Sequence, residues 1–154
     1  MRFREAFGSG WVMHAVFQIE DGAAHPLGTT IYPDGVNFSL FSQAATDVEL
    51  LLFDSDASVE PVQVVRFDAY RNKTFHFWHV FLRGQLAGMF YAFRVDGPYQ
   101  PSAGHRFNPN KVLNGPYARG ISRRLWNRAR AVGPEDNCAT SMRCAIVEDR
   151  KSVV

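Results

Sequence analysis

Cleaving a glycosidic bond takes two carboxylates held on either side of it, and the sequence carries several acidic residues to test against that need. Asp34, Asp47, Glu49, Asp54, Asp56 and Asp68 all fall at expected turns or strand edges. No spacing among them pairs a general acid with a second carboxylate, so they read as solvated turn residues. The sequence has no GxSxG elbow, no HExxH helix and no glycine loop shaped for phosphate. His76 and His79 lie three apart on one expected strand and therefore face opposite sides, which argues against a shared metal. No catalytic residue, metal site or cofactor is expected.

The aromatic residues suggest a different chemistry. A sugar ring lays its C–H face on a flat aromatic side chain while neighbouring polar groups take its hydroxyls. Trp78, Tyr99 and Trp126 are the candidates. Trp78 has a second reading, as core packing within its strand. Tyr99 follows Gly97-Pro98 in a turn, and its two readings stand about level. Trp126 lies among arginines beyond the strand region and reads better as a contact with another domain. Arg119, Arg123, Arg124, Arg128 and Arg130 form a basic run. Such a run is usually a solvated face, and Glu135, Asp136 and Glu148 lie near enough to balance it.

These side chains must be positioned by strands. Val36, Phe38 and Leu40 alternate with Asn37 and Ser39, the period of a half-buried strand, and Asp34-Gly35 marks a turn before them. Further strands are expected at 48–53, 62–67, 75–82 and 90–95, with Asp96-Gly97-Pro98 ending the last. Five short strands without a helical period predict an all-β fold, an antiparallel immunoglobulin-like β-sandwich. Residues 98–117 contain four prolines and read as a long ordered loop. The tail from Gly133 lacks a core pattern of its own and reads as an irregular C-terminal extension. Ser152–Val154 looks like the start of a further element.

A chain of 154 residues with 46% apolar content can form one core unaided. A net charge of only +2 argues against nucleic acid as a partner. No apolar run reaches the length of a membrane span, so no membrane partner is expected. Two cysteines, Cys138 and Cys144, outside any metal spacing suggest a reducing compartment, and the cytoplasm is the expected location. Residues 1–22 read as an ordinary leader.

The run from His25 to Thr30, then Gly35 to Ser42 and Val48 to Asp54, resembles the opening of isoamylase-type debranching enzymes. The most specific stretch is Tyr91-Ala92-Phe93-Arg94-Val95-Asp96-Gly97-Pro98-Tyr99. It leads into Gly104-His105-Arg106-Phe107-Asn108-Pro109-Asn110-Lys111-Val112-Leu113 and Pro116-Tyr117-Ala118. Leu125 to Arg128 and Gly133 to Asn137 resemble the cyanobacterial and plant-type branch.

The resemblance implies a family-48 carbohydrate-binding module over 23–115, after the leader at 1–22. Residues 116–154 would then link to a (β/α)8 catalytic barrel that lies beyond this chain. Glycogen, amylopectin or a malto-oligosaccharide would be the glucan partner, with the parent enzyme hydrolysing its α-1,6 branches. The chain alone is expected to be inactive. A free-standing glucan-binding or regulatory module is the alternative. Related modules use a lysine and two tryptophans for sugar. This sequence has Ala92 and Tyr99 at two of those positions, and Asp54-Ser55-Asp56 where the other tryptophan is expected. The module is therefore expected to dock on the barrel and shape its groove. His105, Arg106, Phe107, Asn108, Asn110 and Lys111 are the docking candidates, together with Trp126.

Overall fold

The computed structural model describes residues 17–148 in full and the backbone of two strands before them. In chain order the strands begin with β1 (Arg2–Phe7), β2 (Gly10–Ala15), β3 (Gln18–Glu20), β4 (Gly28–Tyr32) and β5 (Gly35–Phe41). They continue with β6 (Asp47–Phe53), β7 (Gln63–Arg66), β8 (Lys73–Thr74), β9 (Phe77–Arg83) and β10 (Phe90–Asp96). Short strands complete the set: β11 (Tyr99–Gln100), β12 (His105–Arg106), β13 (Val112–Leu113), β14 (Ile121–Ser122) and β15 (Arg143–Ala145). A five-residue helix, α1 (Arg128–Val132), lies between the last two. The expected element at Ser152–Val154 lies outside the described residues.

Two antiparallel sheets stack face to face. One has the order β3-β9-β5-β4, with β8 on β9; the other runs β14-β15-β10-β6-β7, with β13 also on β10. β1 and β2 pair as a separate hairpin. The five strands expected from sequence correspond to β5, β6, β7, β9 and β10. The Asp34-Gly35 signal closes the β4–β5 hairpin, where Tyr32 pairs with Gly35.

The core between the sheets takes Val36, Phe38 and Leu40 from β5, Trp78, Val80 and Leu82 from β9, and Leu50, Leu52, Tyr91 and Phe93 from the other sheet. The Phe38 and Tyr91 rings meet edge to face at 5.3 Å, a favoured aromatic geometry.

Two expectations change. β5 is buried on both faces rather than half exposed. A strap at 21–25 crosses its outer face. Asn37 accepts from the Ala23 amide and donates to the Ala23 carbonyl, and Ser39 donates to the Ala24 carbonyl. On the neighbouring strand His79 Nδ1 donates to the Asp21 carbonyl, leaving Nε2 to accept from the Thr74 hydroxyl. These partners let polar side chains stay buried.

The second change concerns the chain ends. The sheets extend past 23–115 on both sides, since β3 pairs with β9 and β15 pairs with β10. Residues 116–148, expected as linker, fold back onto the sandwich. Cys144 and Ile146 enter its core. The apolar signal there is only a few residues long, too short to register as a strand in sequence.

Candidate functional site

Three places bear on function. The first is the outer face of the β10–β6 pair, which carries Ala92. Ala92 is fully buried with Leu51, Phe53 and Val112, and Phe90 and Cys138 pack against them. The chain's own C-terminal run therefore covers this face. Its fastenings are specific. Arg94 reaches Asp136 at 2.8 Å and the Pro109 carbonyl at 2.7 Å. Asn137 accepts from the Val112 amide at 2.8 Å. Ser122 and Arg124 both hold Asp56.

Arg143 is the centre of this cover. It is 1% exposed, and its two terminal nitrogens donate to the Ser141, Cys138 and Ser58 carbonyls and to the Ser141 hydroxyl. Its guanidinium lies 3.8 Å from the Phe53 ring centroid. Burial pulls its pKa below the ordinary arginine value, against the opposing influence of Cys138. The Cys138 thiol is pushed up by its own burial, with Arg143 working against that.

The second place is the β11–β12 hairpin and the loop after it. Tyr99 is 69% exposed, opposite Arg106, so its ring is open to a ligand. Trp78 is 1% exposed, inside the core. It cannot present a stacking face, and the sugar reading of Trp78 is withdrawn: inward alternation along β9 decides it. His105 is half-buried, its ring stacked on that of Phe107 at 6.4 Å, while Arg106 and Asn108 are exposed.

Phe107 packs against the sandwich core and covers Gly97, where an added Cβ would stand 2.8 Å from the ring. Asn110 donates to the Pro134 carbonyl, and Lys111 donates to the carbonyls of Arg130 and Glu135. The structure therefore spends Phe107, Asn110 and Lys111 inside the chain, not on an outside partner. Trp126 is 43% exposed, apart from that loop in sequence.

The third place was not singled out from the sequence. It lies on the outer face of the β3-β9-β5-β4 sheet, beside the strap. An open basin of about 390 Å³ is lined by Glu20, Gly22, Ala23, Tyr32, Asp34, Asn37, Phe81 and Arg83. Arg83 donates to both oxygens of Glu20, at 3.1 and 3.0 Å, and to Asp34 Oδ2 at 3.1 Å. The hydrogen bond to Glu20 is the main reason its pKa is raised, with the charges of Glu20 and Asp34 adding to it. The signal was available in the alternation of Phe77, His79, Phe81 and Arg83, but the partners come from β3 and the β4–β5 turn.

The acidic residues weighed from sequence are held by cations, sit at turns or, as Asp47 does, begin a strand and accept from a neighbouring hydroxyl. Glu49 has Arg66 at 3.7 Å and Arg94 at 3.9 Å. Asp68 caps its own turn through the Tyr70 and Arg71 amides.

The family model for carbohydrate-binding module 48 (isoamylase N-terminal domain) matches residues 26–118. The chain belongs to this family. Its sandwich is therefore the immunoglobulin-like one expected from the sequence. Isoamylase 1, chloroplastic, of Arabidopsis thaliana is 39% identical over 132 residues, covering 84% of this chain and 17% of that protein. A glycogen debranching enzyme of Escherichia fergusonii is 38% identical over 138 residues, 86% of this chain and 20% of the enzyme. The chain thus spans a fifth or less of these relatives. Among solved structures, the pullulanase from Paenibacillus barengoltzii in complex with maltohexaose and α-cyclodextrin superposes with a TM-score of 0.57 at 18% identity. It covers 84% of this chain and 16% of the pullulanase, a likeness of fold.

Proposed function

We propose that this family-48 module is the N-terminal accessory domain of a glycogen or starch debranching enzyme, supporting the barrel that hydrolyses α-1,6 branches. The carrying observation is the covered face around Ala92. In a module made to hold sugar there, that face would be open and polar. Here Val112 and Cys138 pack over it and Arg143 ties the cover down. A surface sealed this way supports a neighbouring domain better than it captures a chain.

The glucan is then the substrate of the parent enzyme, with Tyr99 as an exposed aromatic contact. His105, Arg106, Asn108 and Trp126 are the residues left to face the barrel. A cytoplasmic location accompanies this reading, because a reducing medium keeps Cys138 and Cys144 as the free thiols they are.

The test compares three proteins on amylopectin. The parent enzyme should release reducing ends, the 154-residue chain should release none, and the parent lacking residues 17–148 should be insoluble or much slower. Release by the chain alone, or an unimpaired deletion, would overturn the assignment.

A further inference from the structure

We propose that the basin between Tyr32, Phe81 and Arg83, on the outer face of the β3-β9-β5-β4 sheet, is a binding site for a short α-glucan segment, separate from the Tyr99 hairpin.

Its shape is the first argument. The volume of about 390 Å³ belongs to an open depression, which suits a chain lying along the surface and not an enclosed small molecule. Its walls are the second. The Tyr32 and Phe81 rings stand 6.2 Å apart at 51°, and Tyr32 is 43% exposed. Two tilted rings at the mouth of a basin offer apolar faces to the C–H faces of a sugar.

The charges select the ligand class. One guanidinium lies between two carboxylates. An anion approaching Arg83 would meet Glu20 and Asp34, and a cation approaching the carboxylates would meet Arg83. A neutral polyol satisfies both, since each hydroxyl can donate to a carboxylate and accept from the guanidinium. The ion pairs also hold these groups in place before any ligand arrives, which reduces the ordering cost of binding.

The floor is fixed as well. Gly22 has φ of +72°, and a Cβ there would lie 2.6 Å from the Val80 carbonyl carbon. Only glycine lets the strap press this closely onto the sheet, and Asn37 grips the adjacent Ala23 in both directions. The choice of an α-glucan over other neutral sugars rests on the accessory-domain reading. The basin itself rests on geometry alone.

The experiment is a two-dimensional amide NMR titration of the full 154-residue chain with maltotriose, with cellotriose in parallel. Maltotriose should move the amides of Tyr32, Phe81 and Arg83 and saturate in the millimolar range. Tyr32→Ala should weaken that binding about tenfold, while Val132→Ala, at an exposed position on α1, leaves it unchanged. Tyr32 is exposed, so its variant keeps a dispersed spectrum and can be measured. Shifts confined to the Tyr99 hairpin, no shifts at all, or indifference to Tyr32→Ala would each overturn the site. Equal binding of cellotriose would overturn the α-glucan assignment. A silent basin beside an intact domain requirement in the parent strikes this proposal alone. A responsive basin beside an unimpaired parent deletion strikes the accessory-domain reading alone.

Discussion

Replacing Arg143 with methionine should release the C-terminal cover from the sandwich. The side chain keeps a similar length and apolar stem, so packing against Phe53 is largely preserved. What is lost is the charged head. Three carbonyls, those of Ser141, Cys138 and Ser58, and the Ser141 hydroxyl lose their donor. Hydrogen bonds from a charged group contribute about 1.5–3 kcal/mol each, and the contact with the Phe53 ring, at 3.8 Å, adds about 2 kcal/mol when desolvated. Against this stands the cost of holding a cation 1% exposed with Nε unpartnered, which is several kcal/mol. Opposing contributions of that size leave a net loss of about 3 kcal/mol, in line with removing one side of a buried polar network. Urea unfolding of wild type and Arg143→Met measures it. The Cys138 thiol, half-buried within the cover, should also react faster with a thiol reagent in the variant. A stability change within about 0.5 kcal/mol and unchanged Cys138 reactivity would refute the reasoning, showing that desolvation cancels the hydrogen bonds.

Phe107→Ala should destabilise the chain by about 2 kcal/mol, less than a fully buried ring because Phe107 is only half-buried against the core; an unchanged urea midpoint would mean that the ring is not part of this domain's packing. Tyr91 is held neutral chiefly by burial, with Cys144 adding to the effect and the Thr29 hydrogen bond opposing it. Its folded pKa is raised, so its contribution to stability is full below about pH 10, where the unfolded phenol also stays protonated. That contribution falls as pH rises further and the unfolded state alone ionises. Unfolding free energy measured from pH 9 to 11 should decline more steeply in wild type than in Tyr91→Phe, and parallel curves would contradict this.

By itself the sequence determined the sandwich. Period-two alternation in β5, β9 and β10 and the Asp34-Gly35 turn are local patterns, and local patterns are what a strand and its hairpin require. The order of motifs from His25 to Ala118 likewise carried the family. Tertiary structure alone decided which faces are open. Asn37 and Ser39 look solvent-facing in alternation, yet the strap at 21–25 supplies their hydrogen bonds and buries them. The single arginine of β15 looks like surface, yet the Ser58 carbonyl, 85 positions away, joins the nearby Ser141 and Cys138 carbonyls to turn it into a buried tie. Glu20, Asp34 and Arg83 are separated by 14 and 49 positions, as the gaps between 20, 34 and 83 show. They become one cluster because antiparallel register sets β3 beside one edge of β9 and the start of β5 beside the other. Burial and long-range pairing depend on what lies across a sheet or over its face, and no periodicity along the chain encodes that.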